Sequence, residues 1–388
     1  MTAAILVLNA GSSSLKFGLY ERGSLAMLCR GGVGGIGEGP DFAAAGRRAG
    51  DLGTGEPEGS DHEAITRWLL GRIRARLPDL EVAAAGHRVV HGGTRFGAPV
   101  RLDAEAMAAL EALTPLAPGH QPFNLVGIRA VAAFWPDLPQ VACFDTGFHR
   151  TQPRLAQLFA LPRAFAEEGI LRYGFHGLSY EYVARLLPEL AGEPAEGRVI
   201  VAHLGHGASL CAMQGRRSVA TTMGFTALDG LMMGTRSGSL DPGLVLHLLR
   251  HRGLGADELE DVLYNRSGLL GISGISGDAR ALEASADPRA AEALELFAYR
   301  AAREAGSLVA ALGGLDLLVF TAGIGEHSAR IRRAICGWLG FVGIELDEEA
   351  NEAHARRISA PGSAVTVMVV PTDEEIIIAE HTRALLGP

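Results

Sequence analysis

Residues 5–20, ILVLNAGSSSLKFGLY, decide the fold predicted for this chain of 388 residues. The first half is an aliphatic run, which is typical of a buried strand. After a Gly-Ser turn, Leu15, Phe17 and Leu19 recur at every second position, as in a strand with one buried face. The stretch therefore predicts a β-hairpin. Its turn offers backbone N–H groups and hydroxyls that suit a phosphate, although an ordinary N-terminal hairpin explains the stretch equally well.

A second stretch, residues 198–217 (RVIVAHLGHGASLCAMQGRR), repeats the order of aliphatic strand, Gly/Ser turn and alternating strand. Ser14-Leu15 and Ser209-Leu210 occupy similar places in the two stretches, although the turns differ in spacing. Two such hairpins half a chain apart suggest a duplicated α/β domain. If the two domains faced each other, both turns would lie in one cleft.

Helices are predicted at several places in the chain. Residues 60–63 resemble a capping box, and the helical spacing of apolar residues that follows ends at Pro78. A long helix is predicted over residues 288–313. It is followed by a strand over 315–321, a Gly loop, and a helix that begins near Ser328. A strand, a Gly-rich loop and a helix N-terminus in this order can bind an anion.

The bulk composition narrows the class of protein. The net charge of −9 argues against a nucleic-acid-binding protein. The four cysteines lie far apart without a C-x-x-C pair, so neither a zinc knuckle nor a redox dithiol is indicated. No basic segment precedes the N-terminal apolar run, and no apolar stretch reaches membrane-spanning length. We therefore expect a soluble, cytoplasmic protein without nucleic-acid or membrane partners.

Six further stretches concentrate polar residues beside apolar or glycine-rich segments. Each has an ordinary structural explanation, such as an ion pair, a buried histidine or a helix cap, but their coexistence with two phosphate-type turns favours a catalytic site. Neither a Walker A motif nor a suitably placed G-x-G-x-x-G occurs, so phosphate binding is expected to use another fold. The stretches are GHRVVHGG with Arg88, LAPGHQPFN with His120, CFDTGFHRTQP with Asp145, RYGFHGLSY with His176, MGTRSGSLDPG with Arg236, and PTDEEIIIAEH with Glu374.

The order of these motifs resembles that of the acetate and propionate kinase family. The matching segments NAGSSSLKF, HRVVHGG, FDTGFHRT, RYGFHG, GTRSG, FTAGIGE and PTDEE cover nearly the whole chain. The resemblance implies a duplicated ribonuclease-H-like α/β fold, shared with actin-like ATPases and sugar kinases, with two lobes around a central cleft. The N-terminal lobe, on the carboxylate and metal side, is expected to span residues 1–148 plus about 372–388. The nucleotide-binding C-terminal lobe is expected to span 149–371.

The resemblance also implies roles for individual residues. Three residues would be catalytic, namely Asp145, His176 and Arg236. Four would bind the carboxylate substrate, namely Arg88, Val90, His120 and Phe175. Asn9 and Glu374 would hold Mg²⁺ or Mn²⁺. The residues expected to contact ATP or ADP are Ser12, Ser14, Lys16, His203, Leu204, Gly205, His206, Gly207, Asp278, Ala279, Arg280, Gly323, Ile324, Gly325, Glu326 and His327.

The implied reaction is reversible phosphoryl transfer between ATP and acetate, which forms acetyl phosphate and ADP in a homodimeric enzyme. A carboxylate is already ionised at neutral pH, so no strong base is needed to create the nucleophile. The obstacle is repulsion between two anions, which arginines, a metal ion and N–H donors relieve. Asp145 is therefore expected to orient an arginine, a histidine or a metal-bound water rather than to act mainly as a base.

Several positions depart from the family pattern. His206 replaces a usual Asn, which puts the choice of phosphoryl donor in doubt, and Leu178 and Tyr180 are unusual in GFHGLSY. Gly119 and Ala227 replace a usual Leu and Pro and remove volume from the implied acyl pocket. Propionate, butyrate or another short-chain acid is therefore an alternative substrate, unless a neighbour such as Phe123 refills the space. A weaker alternative is a protein of the same fold that hydrolyses ATP or switches, although the carboxylate-binding residues argue against it.

Overall fold

The computed structural model describes residues 1–387 and contains two β-sheets with helices packed against them. The strands are β1 Thr2–Ala10, β2 Leu15–Glu21, β3 Met27–Gly34, β4 Asp41–Ala45, β5 Leu80–Val89, β6 Val100–Arg101, β7 Gln140–Phe144, β8 Arg198–Leu204, β9 Ala208–Gln214, β10 Arg217–Thr221, β11 Leu317–Thr321 and β12 Thr366–Val369. The helices are α1 Ala49–Leu52, α2 His62–Arg76, α3 Ala104–Ala112, α4 Gln121–Phe134, α5 Arg154–Gln157, α6 Arg163–Glu167, α7 Gly177–Ala191, α8 Pro242–His251, α9 Ala256–Asn265, α10 Gly268–Ser273, α11 Ala279–Glu283, α12 Pro288–Leu312, α13 Ala322–His327, α14 Ala329–Trp338, α15 Glu348–Glu352 and α16 Glu374–Leu386.

The chain divides into two compact units, and the first of them is discontinuous in sequence. Unit 1 comprises residues 1–148 and the chain from Asp373 onward, whereas unit 2 comprises His149–Thr372. Unit 1 contains a seven-stranded sheet in the order β4-β3-β2-β1-β5-β7-β6. Unit 2 contains a five-stranded sheet in the order β10-β9-β8-β11-β12.

Both sheets are built on the same plan. In unit 1, β1, β2 and β3 pair antiparallel, and β1, β5 and β7 pair parallel. In unit 2, β8, β9 and β10 pair antiparallel, and β8, β11 and β12 pair parallel. The repeated order of three antiparallel strands followed by two parallel ones confirms the predicted α/β duplication.

The two predicted hairpins are the first two strands of the two sheets. In β1–β2, Asn9 pairs with Lys16, and in β8–β9, His203 pairs with Ser209. Leu15, Phe17 and Leu19 are fully buried, as their alternation predicts. They join one apolar cluster with Ile65, Leu69 and Ile73 of α2. Each large aliphatic side chain buried there contributes about 2 kcal/mol of hydrophobic free energy.

The helix boundaries differ from the predictions at two places. The N-cap of α2 is Asp61, whose carboxylate accepts from the Ala64 N–H, rather than Ser60. The predicted Gly loop after β11 is the short helix α13, because Ala322 turns the chain at φ +64° and helical backbone follows at once. The long helix α12 matches its prediction and ends at Gly313 in the left-handed conformation.

Candidate active site

A cluster of four polar residues in unit 1, Asn9, Arg88, Asp145 and Glu374, forms around the Arg88 guanidinium. Asn9 lies near the carboxyl end of β1, Arg88 near that of β5, and Asp145 directly after β7. Because these strands are parallel neighbours, their carboxyl ends meet at one edge of the sheet, where ligands of α/β proteins commonly bind. Glu374 is the first residue of α16. These four residues form the Arg88 cluster.

Hydrogen bonds hold the Arg88 side chain within this cluster. Its Nε donates to both carboxylate oxygens of Asp145 at 3.0 Å, and its Nη2 donates to Oδ2 of the same residue. Nη1 donates to Oδ1 of Asn9 at 3.0 Å, and Oε2 of Glu374 lies 3.9 Å from Nε. The Asp145 side chain is 1% exposed and that of Arg88 is 18% exposed. Burial opposes the charge on Arg88, but the carboxylates of Asp145 and Glu374 outweigh it and raise the pKa of Arg88.

The oxygen donors of the cluster fit the preference of a magnesium ion. Asn9 contributes an amide oxygen and Glu374 a partly exposed carboxylate, and hard oxygens are the ligands that Mg²⁺ prefers. Within residues 1–387, no group of three or more His, Cys, Asp or Glu side chains is arranged to hold a metal. A dedicated protein cage is not required, because Mg²⁺ commonly uses one or two protein ligands, water and substrate phosphates.

The other predicted residues of unit 1 surround the same strand ends. Lys16 is exposed on β2 opposite Asn9, and Ser12 and Ser14 lie in the hairpin turn, where the Gly11 N–H donates to the Ser14 carbonyl. Val90 is buried, and its N–H donates to Oδ1 of Asn124. Asn124 also donates to the Ala10 carbonyl, so one side chain ties the end of β1 to the residue after β5. His120 directly precedes α4.

In unit 2, two histidines stack beside the turn of the second hairpin. The rings of His176 and His203 lie 4.1 Å apart between centroids at an interplanar angle of 18°. His176 precedes α7 in the left-handed conformation with φ +59°, which is uncommon for a residue with a side chain. A Cβ atom on Gly207 would lie 3.2 Å from Nε2 of His176 and 3.8 Å from Nη1 of Arg236. Glycine therefore lets the turn approach both the imidazole and the guanidinium.

Arg236 is held by its own loop. Its Nη1 donates to the Ala227 carbonyl at 3.2 Å, and its guanidinium lies 5.9 Å from the centre of the Tyr264 ring. Burial lowers the pKa of His206, and the nearby charge of Arg236 lowers it further, while Asp278 opposes the shift.

Phe175 is buried, and its carbonyl oxygen lies within hydrogen-bond distance of Nε2 of the buried His149.

A cavity of about 330 Å³ in unit 2 is lined by eight of the sixteen residues predicted to contact nucleotide. Its size is within the usual range for a small-molecule site. The predicted residues that line it are Gly205, His206, Asp278, Ala279, Arg280, Gly323, Ile324 and His327. Among the described residues, the predicted ones outside this lining are His203, Leu204, Gly207, Gly325 and Glu326 of unit 2 and Ser12, Ser14 and Lys16 of unit 1.

Several residues at the two sites were not predicted from the sequence. Gly277, Glu283 and Ser328 also line the cavity, and Ser328 donates to Glu283. Ser209 and Ser179 contact the stacked histidines. The quoted motifs contain both serines, but only the folded chain shows which ring each one meets.

Glu375 was also overlooked, although the motif PTDEE contains it. Burial raises the pKa of Glu375 to about 7, and Asp373 adds to the shift, whereas Lys16 and Arg30 oppose it. The carboxyl therefore lies in the electrostatic field of the predicted phosphate-binding lysine. Its neighbour Glu374 points at Arg88 instead, so adjacent acidic residues of one helix start have different partners.

Comparisons with known proteins identify relatives of the whole chain. The model of the Acetokinase family matches residues 4–380. The acetate kinase of Rhodopseudomonas palustris is 54% identical over 393 aligned residues, which cover 99% of this chain and 99% of that protein. A crystal structure of Porphyromonas gingivalis acetate kinase superposes with a TM-score of 0.88 at 37% identity, covering 99% of this chain and 100% of that chain. A propionate kinase from Francisella tularensis has a TM-score of 0.91 at 36% identity, covering 98% and 99%.

The same solved structures confirm the predicted fold class, because they match both units of this chain at full length. The motif order in the sequence and the match over residues 4–380 point to one family. The chain belongs to the Acetokinase family.

Proposed function

We propose that this protein transfers a phosphoryl group reversibly between ATP and acetate, forming acetyl phosphate and ADP. The observation that carries the proposal is the Arg88 cluster of unit 1, in which a partly buried guanidinium lies among oxygen donors. Unit 2, considered by itself, has a cavity of about 330 Å³ that is lined by half of the residues predicted to contact nucleotide. The names of the homologous kinases support the same reaction.

In this proposal, Arg88 binds the carboxylate of the substrate and places it for attack on the γ-phosphorus. Asp145 fixes the direction of the Arg88 fork, since it accepts from both Nε and Nη2. His176 and Arg236 donate hydrogen bonds to the oxygens of the phosphoryl group as its charge spreads. The residues that line the cavity in unit 2 bind the nucleotide.

We propose that Asn9 and Glu374 hold Mg²⁺. The bound ion would neutralise phosphate charge and lower the repulsion between the two anionic substrates. Asn9 and Glu374 fit this role because their oxygens lie on either side of Arg88 and within reach of the strand ends. Glu374→Gln should raise the Mg²⁺ concentration needed for half-maximal activity, whereas Glu81→Gln, at an exposed side chain of β5 in the same unit, should leave it unchanged.

A trapping assay tests the reaction itself. With ATP, Mg²⁺, acetate and hydroxylamine, the protein should form acetohydroxamate, because hydroxylamine captures an acyl phosphate. ADP released without hydroxamate would favour the alternative of an ATP-hydrolysing protein. Omitting acetate is the matched control, since an acyl kinase then forms neither product above background.

A longer acid is the second candidate substrate, and one observation favours it. Gly119 is exposed, and a Cβ atom on it would have no heavy atom within 4 Å, so the structure has open space where the usual leucine would stand. Phe123 packs on His62 instead, with ring centroids 4.5 Å apart. Each methylene buried in such space is worth about 0.8 kcal/mol. The ratio of kcat/KM for acetate, propionate and butyrate decides between the acids, and Gly119→Leu should shift that ratio toward acetate.

We also propose that the protein is a homodimer that pairs through α8. This helix is apolar, yet none of its residues is buried within the single chain that the structure describes. Leu246 and Leu244 are 48% and 42% exposed. Leu246→Glu should produce monomers in light scattering, whereas Leu385→Glu, at a site 47% exposed, should not.

We propose the cytoplasm as the place of action. All four cysteines are free and buried, which suits a reducing compartment. Among residues 1–387, the structure contains no helix that is both long and apolar enough to cross a membrane. Fractionation of the source cells tests the proposal, and recovery with the membrane or secreted fraction would contradict it.

A further inference from the structure

The stacked histidines of unit 2 are each bound at Nδ1 by a serine hydroxyl. Nδ1 of His176 lies 2.9 Å from Oγ of Ser209, and Nδ1 of His203 lies 2.8 Å from Oγ of Ser179. Both serines are fully buried. The two contacts come from different elements, since Ser209 is in β9 and Ser179 is in α7.

Each serine is bound in turn by a second hydroxyl. The Tyr180 hydroxyl lies 2.5 Å from Oγ of Ser209, and Oγ1 of Thr372 lies 2.8 Å from Oγ of Ser179. Two short chains of hydroxyls therefore end on Nδ1 of the two rings. Tyr180 is also one of the positions at which this chain departs from the usual family motif.

The direction of hydrogen bonding in the first chain follows from the strength of its groups. A neutral imidazole carries one N–H donor and one acceptor nitrogen. A phenol donates more strongly than an aliphatic hydroxyl, and an imidazole nitrogen accepts more strongly than a phenol oxygen. Burial raises the pKa of Tyr180 well above its usual value, so its hydroxyl keeps the hydrogen that it donates. The favoured order is Tyr180 to Ser209, and Ser209 to Nδ1 of His176.

This order leaves the hydrogen of neutral His176 on Nε2. That atom is the one that faces the turn of the second hairpin, 3.2 Å from where a Cβ of Gly207 would lie. Nε2 of His203 likewise lies 3.8 Å from a Cβ built on Gly205. In both rings, Nδ1 therefore faces a serine hydroxyl, and Nε2 faces a glycine of the phosphate-type turn.

We infer that Ser209 and Tyr180 are positioning residues that hold His176 as the tautomer with its hydrogen on Nε2, ready to donate to an oxygen of the transferred phosphoryl group. The inference rests on the proposed function for the role of His176, but not for the tautomer itself. Ser179 and Thr372 provide the matching arrangement for His203. Hydroxyls that fix a ring in this way raise the fraction of molecules with a correctly placed donor and therefore act on kcat.

Nitrogen NMR tests the tautomer directly. In protein labelled with ¹⁵N-histidine, at neutral pH and without nucleotide, the ring nitrogens of His176 are assigned by their loss in His176→Asn. The wild-type protein should show the Nε2–H form. Ser209→Ala should give a mixture of the two tautomers, and Ser209→Thr, which keeps the hydroxyl, should restore the wild-type spectrum.

Kinetics provide a second readout. Ser209→Ala should lower kcat about tenfold, comparable to the loss of one hydrogen bond, with the KM values for ATP and acetate changed less than about twofold. Tyr180→Phe should lower kcat about threefold. Tyr173→Phe is the matched control, because it also removes a hydroxyl that donates within unit 2, here to the Gly169 carbonyl. Its kcat and its His176 spectrum should equal those of the wild type.

The outcomes separate this inference from the proposed function. An Nδ1–H form in the wild type, or an unchanged tautomer in Ser209→Ala, overturns the inference even if the protein makes acetyl phosphate. If the wild type makes no acyl phosphate, the proposed function fails, while the spectra still decide the tautomer. If Ser209→Ala does not fold, the wild-type spectrum and Tyr180→Phe decide it.

Discussion

At the scale of single residues, the two partners of the Arg88–Asp145 ion pair differ in burial. Asp145 is almost completely buried, whereas Arg88 retains some exposure and two further partners, Asn9 and Glu374. Removing one member of a buried pair leaves the other charge without compensation. The more buried member therefore depends more strongly on its partner.

Arg88→Met should destabilise the protein by about 3–5 kcal/mol, because it removes the guanidinium that compensates the buried charge of the Asp145 carboxylate. Asp145→Asn should destabilise it less, since Arg88 keeps Asn9 and Glu374. Urea unfolding measures both changes. Arg95→Met removes an exposed pair with Glu105 and should change stability by less than about 1 kcal/mol. Equal losses in Arg88→Met and Arg95→Met would contradict the role given to burial.

Asp145→Asn also tests the role of this carboxylate in the reaction. If Asp145 orients Arg88, the variant should lower kcat and leave the shape of the pH–rate profile unchanged. A general base would instead give the wild type an acidic limb that the variant loses. The profile of kcat/KM for acetate between pH 5 and 9 provides the measurement, and loss of such a limb would assign the base role to Asp145.

Arg236→Lys should lower kcat by about 10³, because a point charge cannot replace a planar fork on the phosphoryl oxygens. Arg216→Lys is the control, since Arg216 pairs with Glu196 at the surface of the same unit. Steady-state kinetics with saturating ATP measures both variants. A kcat within threefold of wild type in Arg236→Lys would remove Arg236 from the proposed transition-state contacts.

At the scale of elements, helix α16 approaches strand β5 closely at Gly86. A Cβ atom on Gly86 would lie 2.3 Å from Oγ1 of Thr382 and 2.6 Å from Cγ2 of Ile378. Thr382 and Ile378 are fully buried. Because Glu374 opens the same helix, the closeness of this packing also places Glu374 beside Arg88.

Gly86→Ala should destabilise unit 1 by about 1–3 kcal/mol, because α16 must move away from β5. It should also weaken Mg²⁺ activation, since Glu374 moves with the helix. Gly71→Ala is the matched control in helix α2, where a Cβ meets nothing within 4 Å. That change should stabilise the helix by up to about 1 kcal/mol. Thermal unfolding and Mg²⁺ titration of activity measure both, and a stable Gly86→Ala protein would contradict the packing argument.

Local patterns predicted the regular elements well but not the ends or the contacts between them. The hairpins and α12 follow from alternation, turn glycines and caps that lie within a few neighbouring residues. The prediction of a loop at α13 was wrong. The glycines of this segment are typical of a loop, but they lie in a helix that begins with the left-handed residue Ala322. The sequence motifs predicted Arg88 and His176 as site residues. Their hydrogen bonds to Asp145 and Ser209 join residues far apart in sequence, so local spacing could not predict these contacts.

At the scale of the whole molecule, three buried histidines couple stability to pH. Burial lowers the pKa of His87, His91 and His149 to about 4 each. Their ordinary value is 6.5. The unfolded chain therefore binds protons in this interval that the folded protein does not bind. The contribution of these histidines to stability is fully present above pH 6.5 and is lost as the pH falls toward 4.

His87→Gln should remove one proton from the difference in proton binding between the unfolded and folded states. The free energy of unfolding should then fall less steeply, by about 1.4 kcal/mol for each pH unit between the two pKa values. His87 Nε2 bonds to Oε1 of the buried Gln140, and a glutamine amide can replace that donor without titrating. The urea midpoint measured from pH 7 to pH 4.5 gives the slope. His327→Gln, at a side chain 68% exposed, should leave the slope unchanged. Identical slopes in wild type and His87→Gln would contradict the assignment.

The discontinuity of unit 1 has a consequence for biosynthesis. The ribosome makes β1–β7 first, but helix α16, which packs on their sheet, is made only after all of unit 2. Unit 2 is contiguous and can finish folding during translation. A chain truncated before Glu374 lacks both α16 and the carboxylate proposed to bind the metal ion, so it should be unstable and inactive. The order of synthesis thus makes unit 1 the later of the two units to complete its fold.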